Sequence, residues 1–138
     1  MVGILIIAHG TLGESLIHSA THVMCGRPAQ LTQIGVGMQD DPQIVLPQAI
    51  KLLRGLDDGS GVLVLSDVYG ATPSNIACKL LVPGRIEGVA GVNLPMLVRA
   101  LTYRNEPLNT VITKAVSGGM EGVMLLPIAQ VRNAATGN

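Results

Sequence analysis

The chain has 138 residues, enough for one domain with a substantial hydrophobic core. Hydrophobic residues make up 48% of it, yet no apolar run approaches the ~18 residues of a membrane span, and the apolar start lacks the basic residues and cleavage site of a secretory signal. Nine basic residues balance nine acidic ones, and two Tyr with no Phe or Trp provide no stacking platform for nucleic acid. These features predict a cytoplasmic protein that does not bind nucleic acid.

Apolar runs and amphipathic stretches alternate along the first half of the chain. Val2–Ala8 is a continuous apolar run, typical of a strand buried on both faces, and helical spacing over 12–25 predicts a helix that stops at Gly26. A strand over 31–36 and a helix over 42–56 follow. This alternation indicates a parallel sheet covered by helices on both faces.

The same pattern continues through the second half. A third strand is predicted over 61–66, and Thr72-Pro73 opens a helix to about residue 81, with Thr72 as its N-cap. A fourth strand is predicted over 87–92, followed by helices over 95–103 and 108–117.

The C-terminal part of the chain is apolar and has no crossover helix after it. We expect Val123–Val131 to form an antiparallel edge strand, paired with its own sheet or with that of a neighbouring subunit. Residues 133–138 are predicted to be a disordered tail after a single domain over 1–132.

Two loops of this predicted α/β fold carry candidate chemistry. Four such units commonly wind into an open, doubly wound sheet of strand order 2-1-3-4, with a ligand crevice between strands 1 and 3. His9 ends strand 1 and Asp67 ends strand 3, so we expect their side chains to be neighbours. A carboxylate bonded to one ring nitrogen orients the imidazole and stabilises its cation, which suits a nucleophilic histidine.

An anion cradle is predicted beside this pair. The amides of Gly70, Ala71 and Thr72, the hydroxyls of Thr72 and Ser74, and the helix start can bind a phosphoryl group. Gly10 and Gly70 would let the backbone approach the phosphate closely. Histidine, carboxylate and cradle together predict a phosphoryl relay that needs neither metal nor other cofactor.

Three motifs carry a resemblance that covers essentially the whole chain. They are A-H-G at 8–10, D-V-Y-G-A-T-P-S-N at 67–75 and G-V-N-L-P-M-L at 91–97. In this order and spacing they resemble the enzyme IIA component of the mannose family of the bacterial phosphotransferase system, a family of sugar phosphotransferase components.

The resemblance implies a phosphocarrier whose acceptor is His9 and whose orienting carboxylate is Asp67, with the phosphate loop over Gly70–Ser74. Its implied partners are the phosphocarrier protein HPr as donor and a IIB component as acceptor, with indirect membrane association through permease components. It also implies a homodimer that exchanges its C-terminal strand.

The sequence departs from the family's pattern at one position, and two alternative functions stay open at this point. The family usually has glycine where this chain has Ala71, and a methyl group there disfavours a positive φ. A regulatory IIA-like protein without a transporter would share the same chemistry. A tetrapyrrole metal chelatase could share the A-H-G loop, but it needs a second metal-binding histidine, and only His18 and His22 follow, spaced as a helical pair.

Overall fold

A computed structural model describes residues 1–130 of the chain. Four strands form one parallel sheet in the order β2-β1-β3-β4, which confirms the predicted fold class. The strands are β1 (Gly3–His9), β2 (Leu31–Val36), β3 (Val62–Ser66) and β4 (Ile86–Ala90). The helices are α1 (Leu12–Val23), α2 (Pro42–Leu56), α3 (Thr72–Cys78), α4 (Leu94–Tyr103) and α5 (Leu108–Glu121). The predicted tail over 133–138 lies outside the described residues.

The two central strands, β1 and β3, are apolar on both faces because helices cover both faces. Alternate residues of each strand belong to different hydrophobic clusters. One cluster joins the sheet to α1, α4 and α5, and the other joins it to α2 and α3.

Strand register brings the ends of β1 and β3 together. Ile7 pairs with Ser66, so β1 continues to His9 beside the loop that follows β3. On the other side Ala8 pairs with Gly35, where an added Cβ would collide with the carbonyl oxygen of Gly10. A glycine at 35 is therefore needed for the chain to turn out of β1.

The start of α3 differs from the prediction. Ala71, in extended conformation, occupies the N-cap position, and Thr72 and Pro73 already belong to the first turn. The prediction of Thr72 as N-cap is wrong, because the local hydroxyl bonds come from Ser74 instead. The helix also ends at Cys78, earlier than predicted.

Asn93 was not predicted as a cap, yet it begins α4. Its Oδ1 accepts the amide of Met96 at 2.9 Å and its Nδ2 donates to the carbonyl of Gly119 at 3.1 Å. One side chain thus joins the start of α4 to the end of α5. The helix α5 runs to Glu121, beyond the predicted end.

Residues 123–130 adopt no regular secondary structure, so the predicted antiparallel strand is not formed in the single chain. An edge strand needs a partner edge, and this segment leaves the fold after Gly122 without covering its apolar side chains. No helix in the described part of the chain is long and apolar enough to cross a membrane.

A buried arginine closes the amino-terminal edge of the sheet. Arg104, the residue that follows α4, is only 6% exposed. Its guanidinium donates to the carbonyls of Val2, Ala29 and Gln30, the bonds to Val2 being 2.9 and 3.1 Å long. These bonds tie the chain before β1 and the loop before β2 to the end of α4.

Candidate functional site

The structure brings His9 and Asp67 together at the carboxyl edge of the sheet. Nδ1 of His9 lies 2.7 Å from Oδ2 of Asp67, and the same oxygen accepts the backbone amide of His9 at 2.9 Å. The imidazole is 54% exposed, whereas the carboxylate side chain is only 8% exposed. The acid therefore lies beneath the ring and leaves its other side open to solvent.

The carboxylate of Asp67 is held in its ionised form. Burial alone would raise the pKa of this group, but hydrogen bonds from the amide and ring of His9 and from the amide of Val68 outweigh it, so the pKa lies below its usual value. The Val68 amide donates to Oδ1 at 2.9 Å, so both carboxylate oxygens are bonded. Backbone donors of this kind leave no signal in a sequence.

The loop after Asp67 is braced from within. The amide of Gly70 donates to Oγ of Ser74 at 2.8 Å, and that hydroxyl donates to the carbonyl of Ala71 at 3.0 Å. Ser74 is 3% exposed. Its single proton and the Gly70 amide are thus both used inside the loop, whereas the Thr72 side chain is exposed.

Ala71 fits the loop without strain. Its φ is −86°, while the left-handed conformation is taken by Gly70 with φ +89°. The methyl group that replaces the usual glycine is therefore compatible with the backbone. On the neighbouring loop, Gly10 has φ +55° and donates its amide to Val36 at 3.0 Å.

The other two histidines lie along α1. The rings of His18 and His22 meet edge to face with centroids 5.0 Å apart. Within residues 1–130 no group of three or more His, Cys, Asp or Glu side chains is placed to hold a metal ion. Tyr69, which sequence analysis did not single out, stands 82% exposed between Asp67 and the loop glycine.

Fold and site together define an open α/β protein that presents a carboxylate-oriented histidine at the switch point of its sheet. The family model described as "PTS system fructose IIA component" matches residues 3–116, and the chain belongs to this EIIA-man family. This confirms the resemblance drawn from the three motifs.

Two relatives show how far the likeness extends. The chain is 31% identical over 137 residues to the PTS system mannose-specific EIIAB component of Escherichia coli (strain K12), covering 97% of this chain and 42% of that protein. It therefore spans less than half the length of that relative. It is 28% identical over 105 residues to the PTS system fructose-specific EIIA component of Bacillus subtilis (strain 168), covering 75% of this chain and 71% of that protein.

Solved structures of similar proteins have the same fold as this chain. A phosphotransferase system component EIIA from Streptococcus agalactiae superposes with TM-score 0.77 at 26% identity, over 91% of this chain and 97% of that one. The mannose/sorbose-specific IIA subunit from Enterococcus faecalis has the same fold, with TM-score 0.82 at 22% identity over 94% and 98% of the two chains. Family membership supports a phosphotransfer role within a sugar phosphotransferase system.

Proposed function

We propose that the protein is a phosphocarrier that accepts a phosphoryl group from phospho-HPr on His9 and passes it to a IIB component for sugar uptake. The observation that carries this proposal is the bond between Nδ1 of His9 and Asp67 beneath an exposed ring. A carboxylate on one ring nitrogen and open solvent on the other is the arrangement that a nucleophilic imidazole requires.

The chemistry follows from the tautomer. Because the ionised Asp67 carboxylate can only accept a hydrogen bond, Nδ1 keeps its proton and donates the bond, and Nε2 holds the free electron pair. Nε2 attacks the phosphorus atom, the nitrogen–phosphorus bond of the donor breaks, and its electron pair returns to the donor imidazole. His9 then carries positive charge shared over its ring, which the Asp67 carboxylate stabilises. Onward transfer reverses these steps toward IIB, with no metal or other cofactor.

The anion needs hydrogen-bond donors on the open side of the ring. We assign this role to the exposed hydroxyl of Thr72 and to its backbone amide at the start of α3. The Ala71 amide donates to the carbonyl of Val68 at 3.4 Å and so helps to brace the loop. Gly70 and Ser74 act by bracing the loop through their mutual hydrogen bond. Donors held by the backbone cost no reorganisation when the phosphoryl group arrives.

The same proposal includes a homodimer that acts in the cytoplasm and meets the membrane only through permease components. It assigns residues 123–130 to an exchanged strand, because their large apolar side chains are between 68% and 96% exposed in the single chain. Such a run is stabilised when it is covered on both faces.

The direct test is labelling by phosphoenolpyruvate, enzyme I and HPr. We expect an acid-labile, base-stable phosphoryl group on the wild type and none on His9→Ala. His18→Ala is the matched control, since it removes an exposed ring elsewhere and should be labelled like the wild type. A wild-type protein that takes up no label would overturn the proposal.

A further inference from the structure

Two guanidinium groups come to the same loop at the amino-terminal edge of the sheet. Arg104 donates to the carbonyls of Ala29 and Gln30. Arg27 donates through Nη2 to the next carbonyl along the chain, that of Leu31, at 3.3 Å. Three successive carbonyls at the start of β2 therefore bring two cations together, at the end of β1 opposite to the histidine site and roughly 20 Å from it.

Neither guanidinium has a carboxylate partner. Within residues 1–130 the structure forms no ion pair to Arg27 or Arg104. The carboxylate of Asp58 acts on Arg104 from a distance, but it is already paired with the terminal amino group of Met1 at 2.7 Å. Glu14 lines a separate hollow that Arg27 also borders, without pairing with it. The two cations thus lack a counter-charge, and an anion beside them would supply it.

Both arginines line one open hollow of about 330 Å³. Four hydrogen bonds use four of the five N–H groups of Arg104, which leaves one at Nη1. Arg27 is exposed and uses only one of its five. The rest of the lining carries no acidic side chain and consists of Met24, Gly26, Pro28 and Leu101.

We propose that this hollow binds a small phosphate-bearing anion between the guanidinium groups of Arg27 and Arg104. The planar fork of a guanidinium matches two phosphate oxygens, and a phosphate monoester carries about −1.5 to −2 charges at pH 7, which suits two cations. The bonds of Arg104 to the backbone keep their structural role. The hollow and the second arginine are what add a binding site to that role.

This site is independent of the phosphocarrier role, because it lies at the edge opposite to His9 and transfers nothing. Arg27 follows α1 and Arg104 follows α4, so the two meet only in the folded chain. An anion held by both binds the folded state and not the unfolded one. The melting temperature should therefore rise with the concentration of the anion.

Titration of the full chain with inorganic phosphate at constant ionic strength, followed by the NMR shifts of backbone amides, tests the proposal. We expect saturable shifts centred on Gly26, Arg27 and Arg104, together with a rising melting temperature. A hexose phosphate offers the same oxygens and is titrated in parallel. Both results support the site, and the tighter of the two ligands shows whether it takes a phosphate ester or the free ion.

Arg27→Gln should weaken this binding roughly tenfold and leave the fold intact, because it removes one of the two charged donors at an exposed position. Arg54→Gln is the matched control, since it removes the same charge from an exposed position on α2, outside the hollow, and should bind as the wild type does.

Three results would overturn the proposal. The first is a wild type without saturable shifts, or one that binds no more tightly than Arg27→Gln. The second is a response of equal size to chloride, which would show an adventitious ion only. The third is a set of shifts confined to Gly70 and Thr72, which would place the phosphate at the carboxyl edge instead.

Discussion

The sheet has one edge formed by the amino ends of its strands and another formed by their carboxyl ends, and the two use charged groups in different ways. At the amino-terminal edge, Arg104 is buried and all the acceptors of its guanidinium are backbone carbonyls. At the carboxyl edge, the carboxylate of Asp67 is buried while its histidine partner stays exposed. One edge uses a charged group to join segments of chain, and the other uses one to orient an exposed imidazole.

The difference shows why burial of a charged residue does not by itself mark a functional site. The side chains of Arg104 and Asp67 are both buried and hydrogen-bonded to the backbone, but only that of Asp67 contacts an exposed imidazole. Six substitutions test the structural role of one edge against the chemical role proposed for the other.

The largest effect on stability is expected from Arg104→Met. Removing the guanidinium leaves three buried or half-buried carbonyls without these donors, which should lower the free energy of unfolding by about 3 kcal/mol. Chemical denaturation measures it. Arg104→Lys should fall in between, because an ammonium cannot reach all three acceptors in the same geometry. A stable Arg104→Met protein would mean that the bonds contribute little.

Asp67→Asn should leave the fold intact and slow phosphoryl transfer to His9 by about 100-fold, since a neutral amide cannot stabilise the imidazolium that forms. Rapid-quench labelling from phospho-HPr measures the rate, and circular dichroism checks the fold. Asp67→Ala should be at least as slow. Transfer at the wild-type rate would contradict the role assigned to this carboxylate.

Within the phosphate loop, Ser74→Ala and Thr72→Ala should separate stability from binding. Ser74→Ala removes two half-buried hydrogen bonds and should cost about 1–2 kcal/mol of stability. Thr72→Ala should change stability by less than about 0.5 kcal/mol, because Thr72 is exposed and is not the N-cap, yet it should weaken phosphoryl acceptance. Thermal melts with labelling rates distinguish the two, and the reverse pattern would overturn the assignment.

The smallest expected effect is the change in folding stability with pH. Because the pKa of Asp67 is lower in the folded protein than in the unfolded chain, its ionised form adds stability above the unfolded value, about 3.9, and this contribution is lost as pH falls through the folded value. The stability gap between wild type and Asp67→Asn should therefore narrow below roughly pH 4. Denaturation curves at several pH values measure the gap, and one that stays constant would show that the pKa is unshifted.

Sequence reasoning predicted the parts of this fold that depend on periodicity. Continuous apolar runs identified β1 and β3, and their places in the 2-1-3-4 order predicted that His9 and Asp67 would meet. It missed what depends on single hydrogen bonds between distant segments. Arg104 sits in a polar turn, and nothing in its neighbours indicates that its acceptors lie at Val2 and Gln30.

The start of α3 shows a second limit of prediction from the sequence. Thr72 before Pro73 is a favoured capping pattern, but Ser74 competes for the same turn and its hydroxyl bonds to Gly70 and Ala71. The C-terminal segment shows a third limit: its apolar run predicted a strand, but residues 123–130 form none in the single chain, because a strand needs a partner edge.

The carboxyl edge carries no Lys or Arg in its loops at 10–11, 37–41, 67–71 and 91–93. A phosphoryl group on His9 would add about two negative charges there, with no side-chain cation in those loops to neutralise them. The protein, with a formal net charge of zero, would then become anionic at one end. Its encounter with a cationic acceptor would be faster in the loaded form than in the empty one, and more so in dilute salt.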